Sequence, residues 1–211
     1  MIKILFQGDS ITDAQRTRDN ENYLGSGYVN IVSGKLGFDY PGKYKFINKG
    51  INGNRITDLY LRIRKDILDI APDYLSILIG VNDVWHELEV NDGVSANKFE
   101  KIYDLLLSEV KEALPNIKFI IMEPFILKGS ATYPDKKTWK YFESELELRR
   151  NVCKKMAEKY NAIYVSLQDK FNEAQSSIKD LSYYLRDGVH PTASGSELIA
   201  REWINEFLKK I

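Results

Sequence analysis

Residues 2–16 read IKILFQGDSITDAQR. The first five, Ile2-Lys3-Ile4-Leu5-Phe6, form an almost unbroken apolar run, the pattern of a strand covered on both faces. The run stops at Gly8-Asp9-Ser10, which puts a small residue, an acid and a hydroxyl at the tip of a buried element. Similar short runs recur at Tyr44–Asn48, Tyr74–Ile79, Phe119–Met122 and Ala162–Leu167. Longer segments with helical spacing lie between them. Phe99, Tyr103, Leu106, Val110 and Leu114 fall three or four apart and are closed by Pro115, while Ile199, Trp203 and Phe207 mark a C-terminal helix. This alternation predicts a three-layer α/β fold around a mostly parallel sheet of five strands. No repeat, low-complexity tract or composition break marks a second domain, so residues 1–211 are expected to form one.

Thirty Lys and Arg residues balance thirty Asp and Glu, and nothing in that zero net charge calls for a polyanion, so nucleic acid is not an expected partner. The local cluster Arg62-Ile63-Arg64-Lys65 reads as the solvated face of a helix. The single cysteine, Cys153, allows neither an intrachain disulfide nor a multi-cysteine metal site, and its helical setting suggests a small core residue. The first apolar run is too short for a signal-peptide core, and no stretch approaches the roughly 18 apolar residues of a membrane span. No membrane association is expected, and the cytoplasm is the expected location.

Open parallel sheets bind ligands beyond the carboxyl ends of their strands. Ser10 lies in that zone, but a serine hydroxyl needs a base to become a nucleophile. The chain has two histidines, His86 and His190. Asp187 lies three residues before His190, in Asp187-Gly188-Val189-His190-Pro191, where a carboxylate can orient the imidazole and stabilise its charged form. Gly188 permits a tight turn between them. His86 has no carboxylate so placed, since Glu87 is adjacent and, if helical, points elsewhere. Acyl transfer also needs donors for a developing oxyanion. The Gly53 amide can approach with no side chain in the way, Asn82 carries an amide side chain, and the Ser10 N–H is a third donor. Asp83 is expected to cap the helix that follows.

In order along the chain, Gly8-Asp9-Ser10, Gly53, Gly80-Val81-Asn82-Asp83 and Asp187-Gly188-Val189-His190 resemble the four blocks of the SGNH hydrolases, also called the GDSL esterase/lipase family. The resemblance spans residues 8 to 190. Ile11 stands where the eponymous motif has leucine, a conservative change. The resemblance implies a flavodoxin-like three-layer α/β/α sandwich and a serine acyl-hydrolase needing no cofactor and no metal. It implies Ser10 as nucleophile, His190 as base, Asp187 as its orienting partner, and Ser10, Gly53 and Asn82 as oxyanion donors. It is compatible with a homo-oligomer, since family members often assemble into dimers or larger rings, but the residues themselves do not specify an oligomeric state. The stretches LGSGYV (24–29), NKGINGN (48–54), IGVNDVW (79–85) and DGVHPTASG (187–195) are similar to the branch of bacterial carbohydrate acetylesterases that includes acetylxylan esterases.

Asp9, beside the nucleophile, and Trp85, three residues after Asn82, are the expected substrate contacts. Residues 128–139 read as a polar loop over the site, better suited to a sugar than to a long acyl chain. The expected reaction is removal of short acyl groups, acetyl above all, from sugars or oligosaccharides. A lysophospholipase, a thioesterase or a broad short-chain carboxylesterase would use the same machinery. Two other classes weigh less: a metal-dependent phosphoesterase on Asp9, His86, Asp187 and His190, and a binding module without chemistry. Metal sites need tighter local ligand spacing, and the chain has no glycine-rich phosphate loop after its first strand.

Overall fold

A computed structural model describes residues 1–210. Its five strands are β1 (Ile2–Gly8), β2 (Tyr44–Asn48), β3 (Tyr74–Leu78), β4 (Lys118–Met122) and β5 (Ile163–Val165). They form one sheet in the order β2-β1-β3-β4-β5, with every neighbouring pair parallel. The helices are α1 (Ser10–Asp13), α2 (Tyr28–Asp39), α3 (Ile56–Leu61), α4 (Val81–Val90), α5 (Ala96–Ala113), α6 (Lys136–Lys159), α7 (Gln168–Ser176) and α8 (Ala193–Leu208), with a π-helical turn at Arg64–Leu68. This is the expected α/β/α sandwich of flavodoxin-like order.

The strands are apolar throughout because each face of the sheet has its own helical layer. Ile4, Phe6, Leu78, Ile120 and Met122 point into a core shared with Tyr28 and Leu36 of α2 and Trp203 and Phe207 of α8. Their neighbours Leu5, Leu75, Ile77, Phe119 and Ile121 point the other way, against Leu59, Phe99, Tyr103, Leu106 and Met156. The period-two alternation of side chains divides one apolar run between two cores. Cys153 is fully buried in the second core, as its spacing suggests. Trp203 is buried as well, and its indole N–H donates to Ser76 Oγ at 2.9 Å, so the one polar atom of that ring is satisfied.

Four strands differ in length from their apolar runs, β3 and β4 by a single residue each. The interior strand β1 continues through Gly8 because Gly8 still pairs with Leu78. The edge strand β5 covers only three residues, those that find partners on β4. The chain runs from β1 outward to β2 and back across to β3, with α2 on one face and α3 and α5 on the other, and it is at such a switch point that a crevice opens above the sheet. Ser10 follows one of these strands and Asn82 the other.

Candidate active site

The turn after β1 places Ser10 at the first position of α1. The preceding Asp9 is the cap: its carboxylate accepts the Ile11 N–H at 2.9 Å. This arrangement leaves the Ser10 N–H without a partner among the described residues. Asp9 was expected to contact substrate, but it is 1% exposed and turned inward, so it shapes the nucleophile turn instead. Burial, offset in part by the Ile11 N–H and by nearby His190, pushes its carboxyl up to about 7.

Residues 180 positions apart meet at Ser10. Ser10 Oγ lies 3.0 Å from His190 Nε2, and His190 Nδ1 lies 2.6 Å from Asp187 Oδ2. With Nδ1–H donating to the carboxylate, Nε2 is the acceptor for the serine hydroxyl. The other carboxylate oxygen, Oδ1, accepts the backbone N–H groups of Val189 (2.9 Å) and His190 (2.8 Å). Burial works against ionising Asp187. The imidazole hydrogen bond, the two backbone donors and the charge of His190 outweigh it and hold the carboxyl well below the usual carboxylate range. A carboxylate held in its ionised form stabilises the charged imidazole that results when a proton is taken up.

The Asp187-Gly188 turn is clamped from outside. Gly188 sits at φ +98°, and a Cβ there would lie 2.2 Å from Thr132 Oγ1 and 2.5 Å from Leu127 O, so no other residue fits. Ala131 N–H donates to Asp187 O, and Leu127 N–H to Gly188 O. The segment read as a polar loop over the site therefore does another task in its first part, bracing the acid and base from behind. None of its residues lines the cleft beside Ser10, and from Lys136 onward it is helix α6.

The oxyanion candidates converge through Asn54. The side chain of Asn82 donates to Asn54 O at 3.0 Å, which fixes the amide against the residue following Gly53 and leaves its second N–H available. Gly53 has φ +77° with open space around its missing Cβ, and its N–H, like that of Ser10, has no partner among the described residues. Asn48 ties this loop to the nucleophile turn, donating to Thr12 O at 2.6 Å and Leu24 O at 2.8 Å and accepting the Gly50 N–H.

Two readings of charged residues need correction. Arg62 is not part of a solvated face. Its guanidinium, 20% exposed, reaches back to Asn54 Oδ1 (2.6 Å), Lys49 O (3.3 Å) and Gln7 Oε1 (3.3 Å), and pairs with Asp66. It buttresses the loop that carries Gly53, whereas Arg64 is exposed, as expected of the cluster. Asp83 does not cap its own helix: it is the third residue of α4, fully buried, and accepts the N–H of Ile56, the first residue of α3. Burial pushes its carboxyl up to about 7 against the pull of that N–H and of Arg149. Local sequence could not separate these outcomes, because both partners lie on other segments.

Trp85 stands against His190. Its ring is 5.9 Å from the His190 imidazole and 6.2 Å from Phe142, edge-on to the latter. It is half-buried and packs beside His190, outside the lining of the cleft next to Ser10. That cleft holds about 710 Å3 and is bordered by Ser10, His190 and polar side chains, Arg18 and Arg186 among them. The two arginines drew no notice in the sequence. Among the described residues no group of three or more His, Cys, Asp or Glu side chains could hold a metal ion, and no helix is long and apolar enough to cross a membrane.

Comparison with known proteins agrees with this geometry. The model of the GDSL-like lipase/acylhydrolase family matches residues 6–198. An acetylxylan esterase of Geobacillus stearothermophilus is 35% identical, over 97% of this chain and 93% of its own. Its solved structure superposes with a TM-score of 0.85 at 33% identity, again over 97% and 93% of the two chains. A protein of Parabacteroides merdae described as a GDSL-like lipase superposes with a TM-score of 0.91 at 35% identity, covering 99% of this chain and 96% of that one. Solved forms of the Geobacillus enzyme include catalytic mutants at one serine, one aspartate and one histidine, the last two three positions apart. The chain belongs to the GDSL-like lipase/acylhydrolase family and is a carboxylic ester hydrolase.

Proposed function

We propose that the protein removes acetyl groups from sugars or oligosaccharides such as xylo-oligosaccharides, with Ser10 as nucleophile, His190 as general base and Asp187 as its orienting partner. The observation that carries the proposal is the pair of hydrogen bonds joining Asp187, His190 and Ser10, at 2.6 and 3.0 Å. Ser10 Oγ attacks the ester carbonyl while its proton passes to His190 Nε2. The negative charge that forms on the carbonyl oxygen is met by the N–H groups of Ser10 and Gly53 and by the free amide N–H of Asn82. The tetrahedral species collapses as His190 returns the proton to the departing sugar oxygen. Water then repeats the sequence on the acetyl–serine ester, releasing acetate and restoring the hydroxyl.

Two observations support an acetylated sugar as substrate. The relative that matches this chain over nearly its whole length is an acetylxylan esterase. The cleft beside Ser10 is lined mostly by polar groups, which suit a hydroxylated alcohol better than a lipid. A cytoplasmic site of action fits the buried, unpaired Cys153.

The test is hydrolysis of acetylated xylo-oligosaccharide, p-nitrophenyl acetate and p-nitrophenyl octanoate by wild type and Ser10→Ala. The expected result is acetate released from the oligosaccharide, poor turnover of octanoate, and no turnover by the alanine variant. An alanine variant as active as wild type would overturn the mechanism. Preference for octanoate with an untouched oligosaccharide would keep the machinery and move the substrate to a lipid or thioester.

A further inference from the structure

The cleft is not symmetric about the nucleophile. One wall is the end of α1 and the residues that follow, and the other is the turn bearing His190 with the start of α8. Gly53 and Asn82, the oxyanion side, do not line it. The imidazole that takes the serine proton must hand it to the departing oxygen, so the leaving alcohol lies at His190. The cleft is therefore the compartment of the alcohol, and its lining meets the sugar rather than the acetyl group.

Two arginines, Arg18 and Arg186, line this compartment. Arg18 reaches Asp13 Oδ2 at 3.4 Å, a long contact to a carboxylate that already accepts the Asn52 N–H, and its side chain is 63% exposed. Arg186 immediately precedes Asp187. Its N–H donates to His190 O at 2.8 Å, and Leu185 bridges Pro191, so its main chain is tied to the base. Its guanidinium has no hydrogen bond or ion pair among the described residues, and in this it stands alone among the arginines. Arg55, Arg62, Arg64, Arg149 and Arg201 each pair with a carboxylate. Arg16 donates to Gly50 O and Arg150 to Gln168 Oε1. A chain that partners every other arginine leaves one free beside its catalytic base, in the space where the sugar sits. The cleft thus holds two guanidiniums against the single carboxylate of Asp13.

We propose that Arg186, assisted by Arg18, binds a carboxylate on the alcohol portion of the substrate, so that the favoured ester is an acetylated oligosaccharide carrying a uronic acid. This rests on the sugar-ester reading above and narrows it. The planar guanidinium fork matches a carboxylate through two parallel hydrogen bonds. A neutral sugar hydroxyl offers neither the second acceptor nor the charge.

The experiment measures kcat/KM for acetate release from three substrates: a neutral acetylated xylo-oligosaccharide, one bearing a glucuronic acid branch, and an acetylated sugar phosphate. The ratio of acidic to neutral ester is read within each variant, so any change in the amount of folded enzyme cancels. Wild type should favour the uronate ester by roughly tenfold, the scale of a partly exposed charge-assisted pair. Arg186→Gln should bring the ratio close to one, Arg186→Lys should keep part of it, and Arg186→Glu should invert it. Added salt should shrink the wild-type ratio. Equal rates on neutral and acidic esters, or a ratio that Arg186→Gln leaves unchanged, would overturn the inference alone. Preference for the phosphate over the uronate would overturn the carboxylate assignment. Failure of both oligosaccharides alongside brisk hydrolysis of p-nitrophenyl acetate would overturn the sugar reading and this inference with it.

Discussion

Asp187→Asn is the substitution on which the structure makes its sharpest demand. Asparagine has the shape of aspartate, so the question is which way its amide faces. The two backbone N–H groups of Val189 and His190, at 2.9 and 2.8 Å from Oδ1, admit only an acceptor there and fix the amide oxygen in that place. The amide nitrogen must then take the position of Oδ2, 2.6 Å from His190 Nδ1, with a donor aimed at a donor. The imidazole escapes by changing tautomer: Nδ1 becomes the acceptor and Nε2 carries the proton. Nε2 then has no lone pair for the hydroxyl of Ser10, and the charge that would have stabilised an imidazolium is gone as well. The same tautomer trap in the trypsin triad lowers kcat on the order of 10⁴-fold, or about 5 kcal/mol of transition-state stabilisation. A loss of roughly 10³- to 10⁴-fold in acetate release is expected here, with Tm nearly unchanged because the shape and both backbone hydrogen bonds survive. Steady-state kinetics at neutral pH and calorimetry on the same preparation measure the two quantities. Activity within tenfold of wild type, with the fold intact, would refute the reasoning, because the imidazole could then work without that orientation.

Three further outcomes follow from the geometry. Asn82→Ala removes an oxyanion donor and should cost about 3 kcal/mol, a 10²- to 10³-fold fall in kcat with KM little changed; a near-normal kcat would move the oxyanion site elsewhere. Arg62→Met deletes the buttress under the Gly53 loop and strands Asp66 and Asn54, so a loss of about 2 kcal/mol is expected. In a chain of this size that lowers Tm by about 4–8 °C, and the rate should fall too; an unchanged melting curve would return Arg62 to the solvated surface. Burial pushes the Asp83 carboxyl up to about 7 in the folded state, above the unfolded value of about 3.9. The folded state therefore holds this proton more tightly, and its contribution is fully present below the unfolded value and lost as pH rises through the native one. Asp83→Asn removes that titration, so the Tm difference between variant and wild type should shift in favour of the variant between about pH 4 and about pH 7; a constant difference would show that the buried carboxyl does not titrate there.

The sequence by itself determined the sandwich and its strand order of appearance, and it singled out Ser10, Asp187 and His190, which the fold joins by hydrogen bonds. These are local matters. An apolar run of five residues declares a doubly covered strand whatever it pairs with, and Asp187-Gly188-Val189-His190 carries its acid, its flexible hinge and its base within four residues. Tertiary structure alone decided the assignments that depend on segments distant in the chain. Arg62 looked like the edge of a basic helix until Gln7 and Asn54 were placed at its head. Asp83 looked like a cap for its own helix until α3 brought the Ile56 N–H to its carboxylate. Asp9 looked available to substrate until the turn folded it inward over the Ile11 N–H. Arg18 and Arg186, 168 residues apart, face one cleft only because the strands of the sheet end on the same edge. A charged side chain is long and its partner is chosen by proximity, so its role is set by whichever element the fold puts within reach. Side-chain period and turn chemistry, by contrast, are settled by the nearest few residues, and for that reason they could be read before any of those distances existed.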